Sequence, residues 1–89
     1  MKSKTIDLHD YSLAEAEDYL IDEILEASIL GNSSIIVIHG HNGGVVIRNF
    51  IRSKLKRRYY NFFKTENIKI KIVPITEGRT QIYVTDTNT

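Results

Sequence analysis

The amino-acid sequence predicts an α/β fold of element order β-α-β-α-β-β, a two-layer sandwich of a four-stranded mixed sheet and two helices. Three observations predict it. Two segments with apolar residues at helical spacing each follow a strand-like segment. A β-branched run separates them, and two further strand-like segments joined by a turn end the chain. With 89 residues and no linker or repeat, we expect one domain spanning 1–89.

The N-terminal third predicts the first strand and the first helix. Residues 5–9 alternate apolar with polar side chains, as a short strand does. Ser12 and Glu15 form a capping-box pattern, in which each side chain accepts a hydrogen bond from the backbone amide of the other residue. Apolar residues at spacings of three and four then predict a helix over 13–30, ended by Gly31 in a left-handed conformation.

The middle of the chain predicts the second strand and the second helix. Residues 34–39 form the β-branched run, of the kind that a strand covered on both faces needs. The glycine-rich residues 40–44 then break regular structure, since glycine adopts backbone conformations that other residues avoid. Helical spacing returns over 45–59, with most of the basic side chains outside the apolar stripe.

The C-terminal third predicts a loop and a hairpin. We expect residues 61–67 to form the loop, and the aromatic side chains within 59–63 to pack at the helix end rather than to stack on bases. Residues 68–72 alternate Ile with Lys, as in a half-buried strand, and 81–85 form the last strand after a turn. Because right-handed crossovers make the first strands parallel, the hairpin is expected to add an antiparallel edge.

Composition excludes several classes of function. The chain has no cysteine, which excludes a disulfide framework, thiolate zinc, iron–sulfur clusters and a cysteine nucleophile. No apolar run approaches the roughly 20 residues that span a bilayer, and the N-terminus lacks a signal-peptide pattern. We therefore expect a cytoplasmic domain with no membrane partner.

The formal net charge of +1 conceals an asymmetry along the chain. Residues 1–30 carry two basic against eight acidic residues, a charge of −6. Residues 31–89 carry ten basic against three acidic residues, a charge of +7. Such a division marks either a basic face for a polyanion or simply one acidic and one basic helix, and charge alone favours neither.

Polar residues gather where the first two predicted strands end. Asp7 and His9 end the first strand and His39 ends the second, and the carboxyl ends of parallel strands meet at one edge of a sheet. The turn at 40–44 opens a helix, whose free amides and positive dipole end favour a bound anion. The candidate nucleic-acid-binding residues at this edge are Gly40, His41, Asn42, Gly43, Gly44, Arg48 and Arg52.

Each of these features also has a purely structural interpretation. A strand-end histidine commonly bonds a nearby carbonyl group, a glycine-rich turn serves chain reversal, and Asp7 can accept backbone hydrogen bonds. The acidic first helix is expected to be a solvated face. The convergence of two such segments at one sheet edge is what favours a functional site.

Two motifs resemble those of the Smr (small MutS-related) domain family. Residues 6–10, Ile-Asp-Leu-His-Asp, are similar to its first motif, Leu-Asp-Leu-His-Gly. Residues 39–44, His-Gly-His-Asn-Gly-Gly, are similar to its second, His-Gly-Lys-Gly-Thr-Gly. Residues 11–16, Tyr-Ser-Leu-Ala-Glu-Ala, also look like the family's helix start, so the resemblance covers nearly the whole chain in order.

The resemblance implies a fold similar to the C-terminal domain of a bacterial translation initiation factor. It implies nucleic-acid binding with endonuclease activity, as DNA nicking in some members and RNA cleavage in others. By the resemblance, Asp7, His9 and His39 take the catalytic positions, and Gly40 and Gly44 contact the phosphate backbone. It also implies a place at the C-terminus of a MutS2-like protein of DNA repair and recombination, or in a stand-alone Smr protein, with DNA, RNA or the ribosome as partner.

Three positions depart from the family pattern. Asp10 replaces a glycine and adds a negative charge, which repels a phosphate unless it is paired or holds a metal. His41 replaces a basic residue, so that its charge depends on pH near 6.5. Asn42 replaces a glycine, and asparagine tolerates left-handed conformations better than most residues.

Three hypotheses follow. In the first, His9 or His39 is a general base on water or a ribose 2′-hydroxyl and the other protonates the leaving oxygen. Asp7 then orients an imidazole or helps to hold a divalent ion, Mn²⁺ or Mg²⁺. The second is a non-catalytic nucleic-acid-binding module that targets a larger protein to DNA or ribosomal RNA. The third is a protein-interaction domain whose acidic helix docks a basic partner.

Overall fold

The computed structural model describes residues 2–31, 33–40 and 44–87 and confirms the α/β class with a four-stranded mixed sheet. The helices and strands follow the predicted order, except that the second helical region is divided into three. The elements are β1 (Lys2–Asp7), α1 (Leu13–Ile29), β2 (Ser33–Ile38), α2 (Val45–Ser53), α3 (Leu55–Arg58), α4 (Tyr60–Thr65), β3 (Ile68–Thr76) and β4 (Arg79–Asp86).

The strand order of the sheet is β1-β2-β4-β3. β1 and β2 are parallel, and β4 is antiparallel to both β2 and β3. The expectation that the hairpin adds an antiparallel edge is confirmed: β4 lies inside the sheet against β2, and β3 forms the edge. The side chains explain this order, because Ile82 and Val84 of β4 are fully buried while Lys69 and Lys71 give β3 the charged residues that suit an edge strand.

Helix α1 has the caps that the sequence predicts. The Glu15 amide donates to Ser12 Oγ at 3.2 Å, and the Ser12 amide donates to Glu15 Oε1 at 3.0 Å. Gly31 follows the helix with φ +85°, the left-handed conformation expected there. One face of the helix is buried against the sheet, through Ala16, Leu20, Ile24 and Ala27.

The second helical region differs from the single helix and loop that were predicted. It forms α2, α3 and α4, so the prediction of a loop over 61–67 is wrong. Phe63 of α4 is only 5% exposed, and its ring lies 6.1 Å from that of Tyr59. A helical turn brings these rings into the core, which an extended loop would leave exposed. The predicted apolar stripe is confirmed, since Ile47, Phe50, Ile51 and Leu55 are buried.

The helices and the sheet enclose one apolar core on one face of the sheet. On β2, Ile35 and Val37 are buried in that core, whereas Ile36 and Ile38 point to the opposite face and are half-buried. The expectation that β2 is covered on both faces is therefore wrong. None of the described helices has the length and apolar character to cross a membrane.

Candidate functional site

The ends of β1 and β2 meet, as the sequence predicts. Asp7 lies opposite Ile38 in the parallel register, and the Leu8 amide donates to the Ile38 carbonyl at 2.8 Å. The pairing places His9 beside Gly40: a Cβ added to Gly40 would lie 3.2 Å from the Cβ of His9. We call the residues at this edge, Asp7, His9, Asp10, His39 and Gly40, the strand-end site.

Two carboxylates hold the imidazole of His9. Its Nδ1 lies 2.5 Å from Asp7 Oδ1, and its Nε2 lies 3.0 Å from Asp10 Oδ2. The backbone amide of His9 also donates to Asp7 Oδ1 at 3.1 Å. The side chains of Asp7 and His9 are about half exposed, at 50% and 53%, so this oriented imidazole lies where a substrate can reach it.

The same contacts determine the charge of the pair. The hydrogen bond to Asp7 raises the pKa of His9 above its usual 6.5, and the charge of Asp10 adds to that effect. The hydrogen bonds from the His9 ring and amide lower the pKa of Asp7 below 3.8. Both carboxylates therefore stabilise the imidazolium form of His9, and the charge of Asp10 is paired with that ring.

His39 occupies a different environment from His9. It has no exposed surface, and its Nε2 lies 2.9 Å from Thr80 Oγ1 while its Nδ1 lies 3.3 Å from the Gly40 carbonyl oxygen. Burial lowers its pKa below 6.5, and the nearby charges of Arg52 and Arg48 lower it further. His39 is thus a neutral interior side chain.

Hydrogen bonding assigns the tautomer of this neutral ring. The Gly40 carbonyl can only accept, so Nδ1 of His39 carries the proton and Nε2 accepts from the Thr80 hydroxyl. Arg52 Nε in turn donates to Thr80 Oγ1 at 2.9 Å. Arg52, Thr80 and His39 therefore form one directed chain of hydrogen bonds inside the protein.

Both arginines of α2 are bound to the turn between β3 and β4. Arg52 Nη2 donates to the carbonyl oxygens of Thr76 and Arg79 at 2.6 and 3.0 Å. Arg48 Nη1 lies 2.6 Å from Glu77 Oε2. Their expected contact with phosphate stays a prediction, and in the structure they fix the turn against the strand-end site.

Sequence reasoning missed Thr80 and Glu77 as parts of this arrangement. Thr80 pairs with a residue 28 positions away, a contact that no local pattern reveals. The sequence does contain one indication of the role of Thr80. Thr80, Ile82 and Val84 alternate along β4 and so lie on the same face, which makes Thr80 a polar residue on the buried side of the strand. Its hydroxyl needs partners there, and Arg52 and His39 supply them.

The two described glycines of the turn, Gly40 and Gly44, have little room for a side chain. A Cβ at Gly44 would lie 1.7 Å from the carbonyl oxygen of His39, so the backbone passes too close for any other residue. Gly40 has φ +79°, the left-handed region that favours glycine. Helix α2 then begins at Val45, and its N-cap Gly44 has no side chain to cap the first amides. Among the described residues no other side chain caps them, so they can accept an anion as partner. The predicted contacts at His41, Asn42 and Gly43 lie outside the described residues.

A protein site for a divalent ion needs several acidic or histidine side chains grouped around one point. Among the described residues, no group of three or more acidic or histidine side chains is placed to hold a metal. Both ring nitrogens of His9 already contact carboxylates. We therefore assign no step to a metal, and the metal dependence expected from the sequence stays a prediction.

Comparison with known proteins bears on the identity of the site. A family model described as Smr domain matches residues 6–70, which include both strand ends, the glycine-rich turn and all of α2. The comparisons with curated proteins and with solved structures returned no significant match.

Proposed function

The chain belongs to the Smr domain family of nucleic-acid-binding, nuclease-type modules, and from that premise we propose that it is an endonuclease domain. It cleaves phosphodiester bonds, nicking DNA or cutting RNA, at the strand-end site. We further place it in a MutS2-like cytoplasmic protein that acts on DNA in repair and recombination or on RNA at the ribosome.

The observation that carries this proposal is the contact between Asp7 and His9. The short distance between Nδ1 and Oδ1 fixes the orientation of an exposed imidazole and directs its Nδ1–H at Asp7, as catalytic acid–base groups require. The open amides at the start of α2 lie after the second strand end, where they can hold the phosphate. Acid–base chemistry and anion binding are thereby brought to one edge of the sheet.

The two histidines take different roles in this mechanism. His9, as the imidazolium, protonates the oxygen that leaves phosphorus, while water or a ribose 2′-hydroxyl attacks and releases its proton to solvent. Asp7 orients the ring and stabilises its charge. We assign buried His39 a positioning role: through Thr80 and the Gly40 carbonyl it fixes the turn that binds the phosphate.

A cleavage assay on supercoiled plasmid and on structured RNA, with Mn²⁺, Mg²⁺ or EDTA, tests the proposal. The His9→Ala and Asp7→Asn variants should lose at least about 100-fold in cleavage rate because acid–base catalysis is worth roughly 10²–10⁴. Their affinity should change less than about threefold. Asp22→Asn, at an exposed carboxylate of α1, is the matched control and should cleave normally. Wild-type rates in both His9→Ala and Asp7→Asn would contradict the proposal.

One observation favours a second candidate, a non-catalytic nucleic-acid-binding module. Asp10 contacts Nε2 of His9 and adds a second carboxylate beside Asp7, so the imidazole nitrogen that would serve a substrate is already engaged. This candidate predicts binding that weakens with salt and no cleavage with any metal. Restoring the family's glycine with Asp10→Gly separates the two: a gain of cleavage from an inactive wild type supports the second candidate.

A further inference from the structure

A basic groove lies at the opposite end of β3 from the strand-end site. It has a volume of about 330 Å³ and is bounded by α3, α4 and the start of β3. We call it the lysine groove and define it by Lys56, Tyr60, Lys64 and Lys69, over a floor that includes Phe63 and Ile70. No residue of the strand-end site lines it.

The lysines of this groove carry uncompensated charge. Within the described part of the chain, no acidic side chain lies within ion-pair distance of Lys56, Lys64 or Lys69. The neighbouring acidic residues are Glu66 and Asp86, and neither lines the groove. Three positive charges around an apolar floor favour a ligand that is anionic and has apolar surface as well.

A second groove, between β1, β2 and α1, contains lysines whose charge is balanced by glutamates. It has a volume of about 180 Å³ and is lined by two lysines and two glutamates, Lys2, Lys4, Glu23 and Glu26. Lys4 Nζ lies 2.9 Å from Glu23 Oε2. Because its own acids balance its lysines, this groove has no preference for an anion, and the lysine groove does.

An exposed aromatic ring beside the lysines favours an anionic ligand that can stack on the ring. The expected packing of the aromatic side chains within 59–63 is confirmed for Tyr59, Phe62 and Phe63 and wrong for Tyr60, which is 60% exposed. Lys64 Nζ lies 5.9 Å from the centroid of the Tyr60 ring. An exposed ring beside unpaired lysines is the combination that binds single-stranded nucleic acid, with bases stacked on the ring and phosphates on the lysines.

We propose that the lysine groove holds a single-stranded segment of the same nucleic acid that is cleaved at the strand-end site. The inference rests on the proposed function, since it takes nucleic acid as the ligand. β3 runs from Ile68 at the groove to Thr76 at the turn beside the strand-end site, about 26 Å at 3.3 Å per residue. A stacked strand at ~3.4 Å per nucleotide covers that distance in about eight nucleotides.

The test measures the affinity of a fluorescent 12-nucleotide single strand by anisotropy between 50 and 200 mM salt. In the Lys56→Gln, Lys64→Gln double variant, the slope of log affinity against log salt should fall by about 1.4, or ~0.7 per phosphate contact. The Kd at 0.1 M salt should rise on the order of 20-fold. The matched control, Lys2→Gln with Lys4→Gln, removes the same charge from the neutralised groove and should leave the slope unchanged.

Two further measurements test the stacking on Tyr60 and the distance between the groove and the strand-end site. Tyr60→Ala should weaken binding of the 12-mer about 10-fold, through lost stacking, with an unchanged salt slope. A four-nucleotide strand is too short to reach both surfaces, so it should bind more weakly than the 12-mer. Equal losses for duplex and single strand would overturn the single-strand assignment.

The failure of this proposal can be told apart from failure of the proposed function. If the wild type binds and cleaves nucleic acid but the double variant keeps its salt slope, the lysine groove is not a nucleic-acid contact and the proposed function stands. If an oligoglutamate peptide binds through these lysines while binding of the 12-mer is unchanged, the groove belongs to a protein partner. A wild type that neither binds nor cleaves nucleic acid would overturn both proposals.

Discussion

The strand-end site and the lysine groove differ in what each can contribute. At the strand-end site, Asp7 and Asp10 contact the imidazole of His9. In the adjoining turn Glu77 pairs with Arg48, and Arg52 donates to backbone carbonyls of the same turn. That edge holds an oriented acid–base group but little free positive charge. The lysine groove has three lysines and, among its described lining residues, no histidine or carboxylate. The His9–carboxylate cluster and the lysines of the groove therefore lie near opposite ends of β3.

The structure also shows what the basic side chains behind the charge of +7 in residues 31–89 contact. The sequence predicts that the basic residues of the second helix, Arg48 and Arg52, hold phosphate at the site. In the structure, both side chains are bound to the turn between β3 and β4. Their contact with phosphate stays a prediction, and further exposed basic side chains that can attract a polyanion lie in α3, α4 and β3.

The largest expected loss of stability comes from adding a side chain to the site's turn. In Gly44→Ala, the new Cβ meets the carbonyl oxygen of His39, a backbone atom that cannot move away. We expect a cost of about 3 kcal/mol or more in the free energy of unfolding, measured with urea. Gly31→Ala is the matched control. It has open space around its Cβ and only the strain of φ +85°, so it should cost about 1 kcal/mol. Equal costs would contradict the packing described for the turn.

The next effect concerns the hydrogen bonds that support the site. Thr80→Val keeps the shape of the side chain but removes the hydroxyl that joins Arg52 to His39. Leaving those buried groups without a partner should lower the free energy of unfolding by about 1–3 kcal/mol. Thr85→Val, on the same strand but exposed, should stay within ~0.5 kcal/mol.

A cleavage assay on Thr80→Val separates positioning from plain stability. Under conditions where the variant is fully folded, a misplaced turn should still slow cleavage, whereas Thr80→Ser should restore it because the hydroxyl returns. A folded Thr80→Val protein with wild-type cleavage would show that the hydrogen-bond chain serves stability alone.

The two histidines should titrate on opposite sides of their ordinary value. In an NMR titration, the pKa of His9 should lie above 6.5 because of Asp7 and Asp10, and the pKa of His39 below 6.5 because of burial. Asp10→Asn should lower the pKa of His9 and leave that of His39 unchanged. If His39 titrated above His9, the assignment of interior and exposed roles would be reversed.

The same shifts have opposite consequences for stability. The raised pKa of His9 means that its ion pairs stabilise the fold fully below pH 6.5, and that this contribution is lost as pH rises through the raised pKa. The lowered pKa of Asp7 gives a contribution that is present above pH 3.8 and lost as pH falls through the lowered value. For His39 the unfolded chain takes up a proton first, so stability falls as pH drops below 6.5 toward its lowered pKa.

Local patterns predicted the parts of the fold that depend on local chemistry. The capping box, the left-handed Gly31 and the apolar stripe of α1 follow from side chains within a few positions of each other. The place of β4 inside the sheet depends on pairing with β2, whose residues lie more than 40 positions away. No periodicity within the hairpin contains that information. The helical turn of α4 likewise depends on a tertiary site that buries Phe63.

The candidate site was predictable to a similar degree. The convergence of the strand ends follows from the parallel register of β1 and β2. The burial of His39 is also indicated by the sequence, because His39 lies on the same strand face as Ile35 and Val37. Asp7 and His9 lie on the opposite face from the buried Ile6 and Leu8. What could not be predicted is the binding of Arg52 to a turn more than 20 residues away, since that contact exists only after the hairpin folds against α2.

The central claim is that the exposed imidazole of His9 carries out acid–base chemistry on a phosphodiester. The measurement that tests it most directly is the single-turnover cleavage rate of His9→Ala at saturating substrate, with Kd measured in parallel. The account predicts a loss of at least about 100-fold in rate and a Kd within about threefold of the wild type. A His9→Ala protein that cleaves at the wild-type rate would contradict it.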